Sequence, residues 1–380
     1  MNNILPKMSW CSKCVYPNSS AVPLTFNEDY ICSGCTIHSQ KKNINWDKRI
    51  EWLLEEVEPY RKKSGYECVI GVSGGKDSYY QTHFVKEKLG LNPLLVTYNG
   101  NNYLKQGWIN LQNMKKVFNV DHLIFSPSVD LLIRMNRLGF KMMGDMNWHN
   151  HAGIATYPMK MACDLNIPLV FYGEHGWTDL GGMHSMSDLV EYTSRYRKDQ
   201  LLRGFDWHDM LDDNEEKINE KELEWCKYPD DDSINSVGLR GIFIGNYDPW
   251  DANKHTKLVK ERYQWKENPE KFDRTYRKFS NLDDKYENGV HDYLKYIKFG
   301  YGRGTDHACK DIRSGYMTRE EAIKIVRKYD HVIPRDLYEW LDYVDLTEDY
   351  FYSVANKFRS PKVWVQIKEK WVKENIWDSE

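Results

Sequence analysis

The residues best suited to chemistry lie first in one short stretch, residues 71–78 (GVSGGKDS). Gly74 and Gly75 carry no side chain and can adopt positive φ, so successive backbone N–H groups can curl around an anion. A P-loop carries Ser or Thr directly after its lysine, to ligate magnesium beside a transferable γ-phosphate, but here Asp77 follows Lys76. The stretch therefore predicts a cradle for a departing pyrophosphate, with the reaction at the α-phosphorus.

The elements on both sides of this stretch must hold it in place. The apolar run YECVIGV predicts a strand that ends at the glycines, and SYYQTHFVKEKLG has the spacing of a helix. The unpaired N–H groups and positive dipole end of that helix would face the anion. Side chains of the stretch add further donors or charge, and we predict catalytic roles for Ser73, Lys76, Asp77 and Ser78.

Four cysteines form a second chemical group. Cys11, Cys14, Cys32 and Cys35 follow the pattern C-x2-C-x17-C-x2-C, in which each pair can hold one ion from a tight turn and two pairs complete a tetrahedron. Because four thiolates leave no position for water, the spacing predicts a structural Zn²⁺ site. Turns and short strands are expected between the pairs, so residues 1–42 are predicted to form a zinc-ribbon-like module.

Strand-like and helix-like segments alternate after this module. Apolar runs that begin at Asn92, His122 and Ile167 predict three further strands, and GIFIGNYDPW (241–250) predicts an edge strand. Helices of ten to fifteen residues between strands indicate βαβ units. The predicted fold class is therefore α/β, with a doubly wound, mainly parallel sheet and helices on both faces.

The rest of the chain departs from this alternation. Residues 177–237 hold the acidic runs LDDNEEKINEKE and YPDDDS, which we interpret as an insertion. Thr318 and Glu321 form a capping box before AIKIVRKY, and Thr347 can cap EDYFYSVANKF. The predicted organisation is a zinc-ribbon-like module (1–42), an α/β domain (43–250, with the insertion at about 177–237) and a mostly helical substrate or partner region (251–380).

Composition and charge limit the class of protein. A chain of 380 residues can form two domains or one large domain with attachments. Its formal charge of −3, from 53 basic and 56 acidic residues, gives no electrostatic reason to expect a nucleic acid partner. No apolar run has the length of a signal peptide or a membrane span, so we expect a cytoplasmic protein that does not bind membranes.

The SGGKDS motif after the first strand resembles the SGGxDS signature of the PP-loop ATP pyrophosphatases. The resemblance implies a PP-loop/HUP-like (adenine nucleotide alpha hydrolase-like) fold that binds ATP and Mg²⁺. In that family a substrate oxygen attacks the α-phosphate, pyrophosphate leaves, and a nitrogen or sulfur nucleophile then displaces AMP. The implied ATP-binding residues are Ser73, Gly74, Gly75, Lys76, Asp77, Ser78, Thr97, Tyr98, Asn99 and Gly173.

Three longer segments resemble the WbpG/PseA-type N-acetyl sugar amidotransferases: GDMNWHNHAGI (144–154), FYGEHG (171–176) and KFGYGRGTDHACKDIRSGYMTREEAI (298–323). With the four-cysteine start, the resemblance runs through nearly the whole chain, although Gly304 stands where alanine is expected. It implies conversion of an acetamido group of a nucleotide-activated, UDP-linked sugar to an acetamidino group, through an O-adenylyl imidate that ammonia attacks. These enzymes act in surface polysaccharide, lipopolysaccharide O-antigen or nonulosonic acid biosynthesis.

The same segments supply further candidate residues. Glu174 and His175 directly follow the fourth predicted strand, at the carboxyl edge where ligands bind in open α/β sheets. We predict a catalytic role for Glu174 and substrate binding for His175. Arginines suit a diphosphate or a carboxylate, and histidines of a loop before a helix are further candidates. The other predicted substrate-binding residues are Asp145, His149, His151, Arg303, Asp306, His307 and Arg313.

The nitrogen is expected to come from glutamine, because free ammonia is scarce at neutral pH. None of the four ungrouped cysteines (Cys68, Cys163, Cys226 and Cys309) lies in a G-x-C-x-G-like elbow, so a glutaminase within this chain is not expected. The resemblance implies a separate HisH-like glutaminase subunit that supplies ammonia.

Two alternative functions share these motifs. A PP-loop tRNA thiolase can also begin with a zinc-ribbon module, but such enzymes generally rely on cysteines near the active site, and the near-neutral charge disfavours a tRNA substrate. A non-catalytic module that senses ATP on the same sheet is the second alternative.

Overall fold

The fold is built around a five-stranded parallel sheet, seen in a computed structural model that describes residues 5–211 and 215–379. The strand order is β3-β2-β1-β4-β5, and all neighbouring strands are parallel. The α/β fold class and all five predicted strands are confirmed. The strands are β1 (Cys68–Gly71), β2 (Pro93–Tyr98), β3 (His122–Phe125), β4 (Leu169–Tyr172) and β5 (Arg240–Phe243).

The strand order places a topological switch point beside β1. The chain moves from β1 through β2 to β3 on one side and then returns to β4 on the other, so Cys68 lies between Pro93 and Leu169. Open α/β sheets bind ligands in the crevice outside the carboxyl ends of the strands at such a point. The SGGKDS loop after β1 and the segment after β4 both begin at this edge.

Fifteen helices surround the sheet and form the carboxyl-terminal region within the described residues. Helix α3 continues as a π-helical segment over Phe84–Lys88. The helices are α1 (Ser33–Gln40), α2 (Trp46–Val57), α3 (Lys76–His83), α4 (Lys105–Val117), α5 (Val129–Met143), α6 (Trp148–Asp164), α7 (Gly176–Gly181), α8 (Ser194–Tyr196), α9 (Asp231–Val237), α10 (Ala252–Tyr263), α11 (Glu287–Phe299), α12 (Arg303–Arg313), α13 (Arg319–Tyr329), α14 (Asp336–Val344) and α15 (Glu348–Ala355).

The two faces of the sheet are covered by different helices. Successive strand side chains point to opposite faces, so Val69 of β1 packs in the cluster that includes Met159 of α6. Ile70 packs in the cluster that includes Tyr79 of α3 and Val259 of α10. Both faces of β1 are therefore buried, which explains why its sequence reads as a continuous apolar run.

The carboxyl-terminal region is helical, as predicted. Helices α11, α14 and α15 pack with α5 around the fully buried Trp340. The capping box of Thr318 with Glu321 and the cap supplied by Thr347 are both present. An antiparallel pair, β6 (Val365–Ile367) and β7 (Lys370–Val372), was not predicted.

The amino-terminal segment differs from the predicted turns and short strands. Between the cysteine pairs it forms only isolated antiparallel bridges, Trp10 with Pro17 and Phe26 with Cys32. The second cysteine pair lies at the start of α1 rather than in a strand turn.

The insertion at 177–237 contains the short helices α7 to α9. Residues 212–214 of its first acidic run lie outside the described part of the chain. Within the described residues, no helix combines the length and the apolar character needed to span a bilayer.

Candidate active site

The SGGKDS loop connects β1 directly to α3, as predicted. Gly74 adopts φ +75°, and α3 begins at Lys76 with no side-chain cap on its first N–H groups. The hydroxyl of Ser78 accepts a hydrogen bond from the Ser73 backbone N–H (2.8 Å), and the indole of Trp265 donates to the Gly74 carbonyl (3.0 Å). The loop is thus held open from both sides, with the unpaired N–H groups of a helix start at its end.

Two cavities meet at this loop. The larger has a volume of about 1060 Å³ and the smaller about 360 Å³. Ser73, Asp77, Glu174 and Trp250 line both. A reactant in one cavity and a reactant in the other could therefore meet over the loop.

The linings of the two cavities differ. The larger cavity has aromatic rings on one side: Tyr172, Trp177, Tyr192, Tyr196, Phe243 and Trp250. Such rings suit an adenine base, because every base offers a π-face for stacking. The smaller cavity carries basic groups near the loop: Lys76, Arg277, Arg303, His307 and Lys310.

Lys76 and Asp77 form an ion pair within the loop, with Nζ 2.6 Å from Oδ2. Desolvation alone would raise the pKa of Asp77, but the charge of Lys76 outweighs it and the pKa is lowered. Asp77 is therefore a carboxylate, and its Oδ1 has no hydrogen-bond partner among the described residues. This oxygen is available to a ligand.

Glu174 lies at the carboxyl end of β4 and contacts Lys310 of α12. The Lys310 Nζ lies 2.6 Å from Glu174 Oε1, and it also lies 3.4 Å from Asp179. Desolvation raises the pKa of Glu174 even though Lys310 opposes the shift. The predicted catalytic position thus belongs to a charged network that joins the sheet edge to the carboxyl-terminal region.

His175 has a different role from its neighbour. Its Nδ1 accepts a hydrogen bond from the Thr178 N–H (3.2 Å) and so caps α7. Burial lowers the pKa of His175 to about 4, so the ring is neutral, and it packs against Phe243 and Tyr196. His175 lines neither cavity.

The end of β2 contributes one cavity residue out of the three predicted. Thr97 donates its hydroxyl to the Val72 carbonyl (2.6 Å), and Asn99 donates its amide to Ser126 (2.8 Å). Tyr98 lines both cavities. Gly173, at the end of β4, lines the larger cavity, where a Cβ would come within 2.7 Å of Trp250.

The histidines predicted in a loop lie instead on α6, so that prediction was wrong. His149 is fully buried, with Nδ1 3.0 Å from the Tyr98 hydroxyl and Nε2 2.8 Å from Glu287 Oε1. Its ring belongs to the core and lines neither cavity. His151 lines both cavities. Its pKa is lowered to about 3, mainly because the ring is buried and secondly because Arg203 carries a positive charge nearby.

Asp145 lies in the turn before α6 at the wall of the larger cavity. It pairs with Arg203 (2.5 Å) and with Nδ1 of His291 (2.8 Å). Lys298 lines the same wall, and burial lowers its pKa to about 8. This part of the cavity therefore combines one carboxylate with several basic groups.

Three of the four predicted α12 residues line the smaller cavity. Arg303 pairs with Asp292 (2.8 Å), and Asp306 accepts a hydrogen bond from the Tyr16 hydroxyl (2.7 Å) and pairs with Lys295. The Nδ1 of His307 lies 2.6 Å from the Thr275 hydroxyl.

Arg313 lies at the cysteine cluster instead. Its guanidinium contacts Cys35 Sγ (3.4 Å) and Cys32 Sγ (3.5 Å) and donates to the carbonyls of Asp179 and Leu180. It lines neither of the two cavities at the loop.

The four grouped cysteines come together as predicted. Their Sγ atoms all lie within 4.8 Å of one another, and all four residues are buried. Cys11 Sγ accepts hydrogen bonds from the backbone N–H groups of Cys14 (3.4 Å) and Cys32 (3.3 Å). The cluster is able to hold a metal ion.

Several residues at the cavities were not identified from the sequence. Lys310 follows Asp306 and His307 at the i, i+4 and i, i+3 spacing of one helix face, so the pattern could have indicated it. Arg277 and His291 offer no such signal, and neither does Trp265, which contacts the loop without lining either cavity. They reach the site through long-range packing.

Comparison with known proteins finds a family similarity in the carboxyl-terminal part of the chain. Residues 260–376 match the family described as LPS biosynthesis protein WbpG-like, C-terminal domain. The uncharacterized protein MJ1599 of Methanocaldococcus jannaschii is 31% identical over 117 residues, which are 30% of this chain and 42% of that protein. The chain thus spans less than half the length of this relative.

Two solved structures show low similarity to the fold. The NH3-dependent NAD synthetase of Campylobacter jejuni is 15% identical, with 51% of this chain and 92% of that one covered and a TM-score of 0.29. The U34-tRNA thiolase NcsA of Methanococcus maripaludis is 13% identical, with 71% and 79% covered and a TM-score of 0.31. Similarities of this size indicate neither substrate nor nucleophile. Residues 260–376 are thus similar to a WbpG-like carboxyl-terminal domain, and the SGGKDS loop precedes them at the end of β1.

Proposed function

We propose that the chain is the synthase subunit of an ATP-dependent, AMP-forming amidotransferase that converts an acetamido group of a UDP-linked N-acetyl sugar to an acetamidino group. The observation that carries the proposal is the meeting of two cavities over the SGGKDS loop, the larger with aromatic rings on one side and the smaller with basic groups near the loop. The adenosine of ATP would occupy the aromatic side of the larger cavity and the sugar nucleotide the smaller cavity. The WbpG-like match supports the sugar substrate.

The reaction answers a specific chemical difficulty. An amide is a poor electrophile because its nitrogen donates into the carbonyl. Attack of the acetamido oxygen on the α-phosphorus forms an O–P bond, breaks the bond to pyrophosphate and yields an O-adenylyl imidate. Ammonia then forms a C–N bond, the C–O bond breaks with its electron pair on AMP, and the nitrogens share the remaining protons as an amidinium.

The loop residues have distinct parts in this scheme. Lys76 and the N–H groups at the start of α3 would offset charge on the departing pyrophosphate. The Asp77 carboxylate, whose Oδ1 is unpartnered, offers the oxygen donor that Mg²⁺ prefers. A bound Mg²⁺ would neutralise phosphate charge there. Arg277, Arg303 and Lys310 would bind the sugar diphosphate.

Zinc is the metal that we assign to the cysteine cluster. Zn–S bonds of about 2.3 Å in a tetrahedron require S···S distances of about 3.8 Å. The Cys11–Cys35 and Cys14–Cys32 pairs lie 3.9 and 3.7 Å apart. The thiols therefore fit this ion, with a structural role.

The positions of the other cysteines favour nitrogen over sulfur as the nucleophile. In the described part of the chain, no cysteine lines either cavity. Cys226 is buried and donates to the Leu223 carbonyl, while Cys68 lies inside β1 and Cys163 in α6. The proposal therefore includes a separate HisH-like glutaminase as ammonia source and a cytoplasmic location, where both nucleotides are made.

The test uses the purified chain alone. With ATP, Mg²⁺ and ammonium, we expect AMP, pyrophosphate and a product about one mass unit lighter from one member of a panel of UDP-N-acetyl sugars. Oxygen-18 in the acetyl group should appear in AMP. Lys76→Met should abolish AMP formation, whereas Lys105→Met, which removes the same charge from the exposed start of α4, should not. AMP release without a sugar, or only with tRNA, would refute the proposal.

A further inference from the structure

Part of the smaller cavity presents hydrogen-bond acceptors rather than donors. We call Asn147, Asn150, Asn281, Asp284 and Asn288, which all line this cavity, the acceptor group. Three of the amides direct their N–H groups at carboxylates. Asn150 Nδ2 donates to Glu287 Oε2 (3.0 Å), Asn288 Nδ2 to Asp283 Oδ1 (3.2 Å) and Asn281 Nδ2 to Asp292 Oδ2 (3.4 Å). Because the amide nitrogens donate in these three contacts, the amide oxygens are left for a ligand.

Two oxygens of the acceptor group are buried without a partner among the described residues, namely Asn147 Oδ1 and Asp284 Oδ2. Their residues are 7% and 4% exposed. The other oxygen of Asp284 is occupied, because it accepts from the N–H groups of Tyr286 (2.7 Å) and Glu287 (2.5 Å). A buried acceptor without a partner has lost the hydrogen bonds that it makes in water, so two of them in one cavity indicate a ligand that donates.

The chemistry of the acceptor group selects the ligand. An ionised phosphate only accepts, so it does not fit the acceptor group. A water or a sugar hydroxyl can donate one or two hydrogen bonds there, but it is neutral and reaches fewer acceptors than ammonium does. An ammonium ion has four N–H donors, no acceptor and a positive charge that matches Asp284. We propose that the acceptor group binds ammonium, the nitrogen donor of the reaction proposed above, on which this inference rests.

The proton balance of this site is simple. Ammonium gives one proton to the Asp284 carboxylate, and the freed lone pair of ammonia attacks the imidate carbon. The acid then returns its proton to solvent, and nothing is oxidised or reduced. Burial, and then the charge of Glu287, raise the pKa of Asp284 well above its ordinary range. Burial without a cation therefore disfavours the charged form of Asp284, which an adjacent ammonium ion would stabilise. The same cavity reaches Lys76 and Asp77, so ammonia need not cross bulk solvent.

The test separates nitrogen binding from adenylylation. Asp284→Asn keeps the oxygen that accepts from the backbone and places an N–H group in place of Oδ2. Asp349→Asn is the matched control, because Asp349 is exposed at the start of α15 and lines neither cavity. AMP formation is measured against ammonium chloride at saturating ATP and sugar, and sugar-dependent ATP–pyrophosphate exchange is measured without ammonium.

For Asp284→Asn we expect the KM for ammonium to rise at least tenfold while the exchange rate stays within twofold. The control should match the wild-type protein in both. Asn147→Leu, which removes the second orphan oxygen at similar volume, should raise the ammonium KM threefold or more and serves if Asp284→Asn does not fold. An unchanged ammonium KM in a folded variant, or a rise in the sugar KM instead, would overturn this inference alone. A wild-type protein that forms no AMP would overturn the proposed function and this inference with it.

Discussion

Replacement of Gly74 with alanine tests the geometry of the SGGKDS loop. Gly74 has φ +75°, and a Cβ there would lie 2.7 Å from the Cα and backbone N of Leu111 in α4. The left-handed conformation costs alanine about 1–2 kcal/mol. Overpacking against backbone, which cannot rotate away, adds about 1–3 kcal/mol. We therefore expect the free energy of unfolding of Gly74→Ala to fall by about 2–5 kcal/mol.

Gly75→Ala is the matched control. Its φ is −69°, and the nearest atom to a Cβ would be Ser73 Oγ at 3.4 Å, an ordinary contact. The methyl group would enter the smaller cavity, which Gly75 lines, where it would take space from a phosphate. We expect stability to stay within about 0.5 kcal/mol of the wild-type value but AMP formation to fall at least tenfold.

The assay is urea unfolding followed by tryptophan fluorescence at a fixed zinc concentration, with AMP release measured on the same samples. The comparison between adjacent glycines removes general effects of adding a methyl group to the loop. Equal stability of Gly74→Ala and the wild-type protein would refute the loop geometry. Full activity of Gly75→Ala would refute the phosphate site.

Four other substitutions test three separate parts of the molecule. Cys11→Ser should release zinc and lower the melting temperature, and full metal content by elemental analysis would contradict the four-thiolate site. Ser73→Ala and Asp77→Ala should each abolish AMP formation with an unchanged circular dichroism spectrum, and wild-type turnover in either would contradict the cradle. Burial, and then the charge of Asp273, raise the pKa of Asp336 to about 6. A carboxyl group whose pKa is raised on folding stabilises the fold at a pH below its unfolded pKa of about 3.9. This contribution to the free energy of unfolding is lost as the pH rises through about 6. Asp336→Asn should therefore raise the melting temperature relative to wild type at pH 7 but not at pH 3.5; an equal shift at both would contradict this assignment.

The sheet could be predicted because its strands carry an unusually direct signal. β1 and β2 are buried on both faces, so their sequences are continuous apolar runs bounded by glycine or asparagine. The start of α6 gave no comparable signal. Histidine is not a residue type that indicates a buried helix position, yet His149 is buried in α6. Proline normally disrupts a helix interior, yet Pro158 lies inside α6 and packs against Gly71.

The candidate site was predictable only in part, since residue type does not report surroundings. Arg313 was predicted to bind an anionic substrate because its planar guanidinium has several N–H donors. The same donors instead form hydrogen bonds with thiol sulfurs and backbone carbonyls at the cysteine cluster. His149 resembled a loop ligand, but a hydroxyl and a carboxylate satisfy both ring nitrogens inside the core. Arg277 lies in the segment between α10 and α11, which has no regular element to give its position a pattern.

The cysteine module contributes residues to the wall of the larger cavity of the candidate active site and contacts the wall of the smaller one. The Tyr16 hydroxyl, two residues after Cys14, holds Asp306 at the smaller cavity. Residues 21–23, between the two cysteine pairs, line the larger cavity. Because a metal ion would fix the turns from which these residues emerge, its loss should disturb substrate binding before it unfolds the sheet. The candidate site therefore includes residues from both sides of the predicted boundary at residue 42.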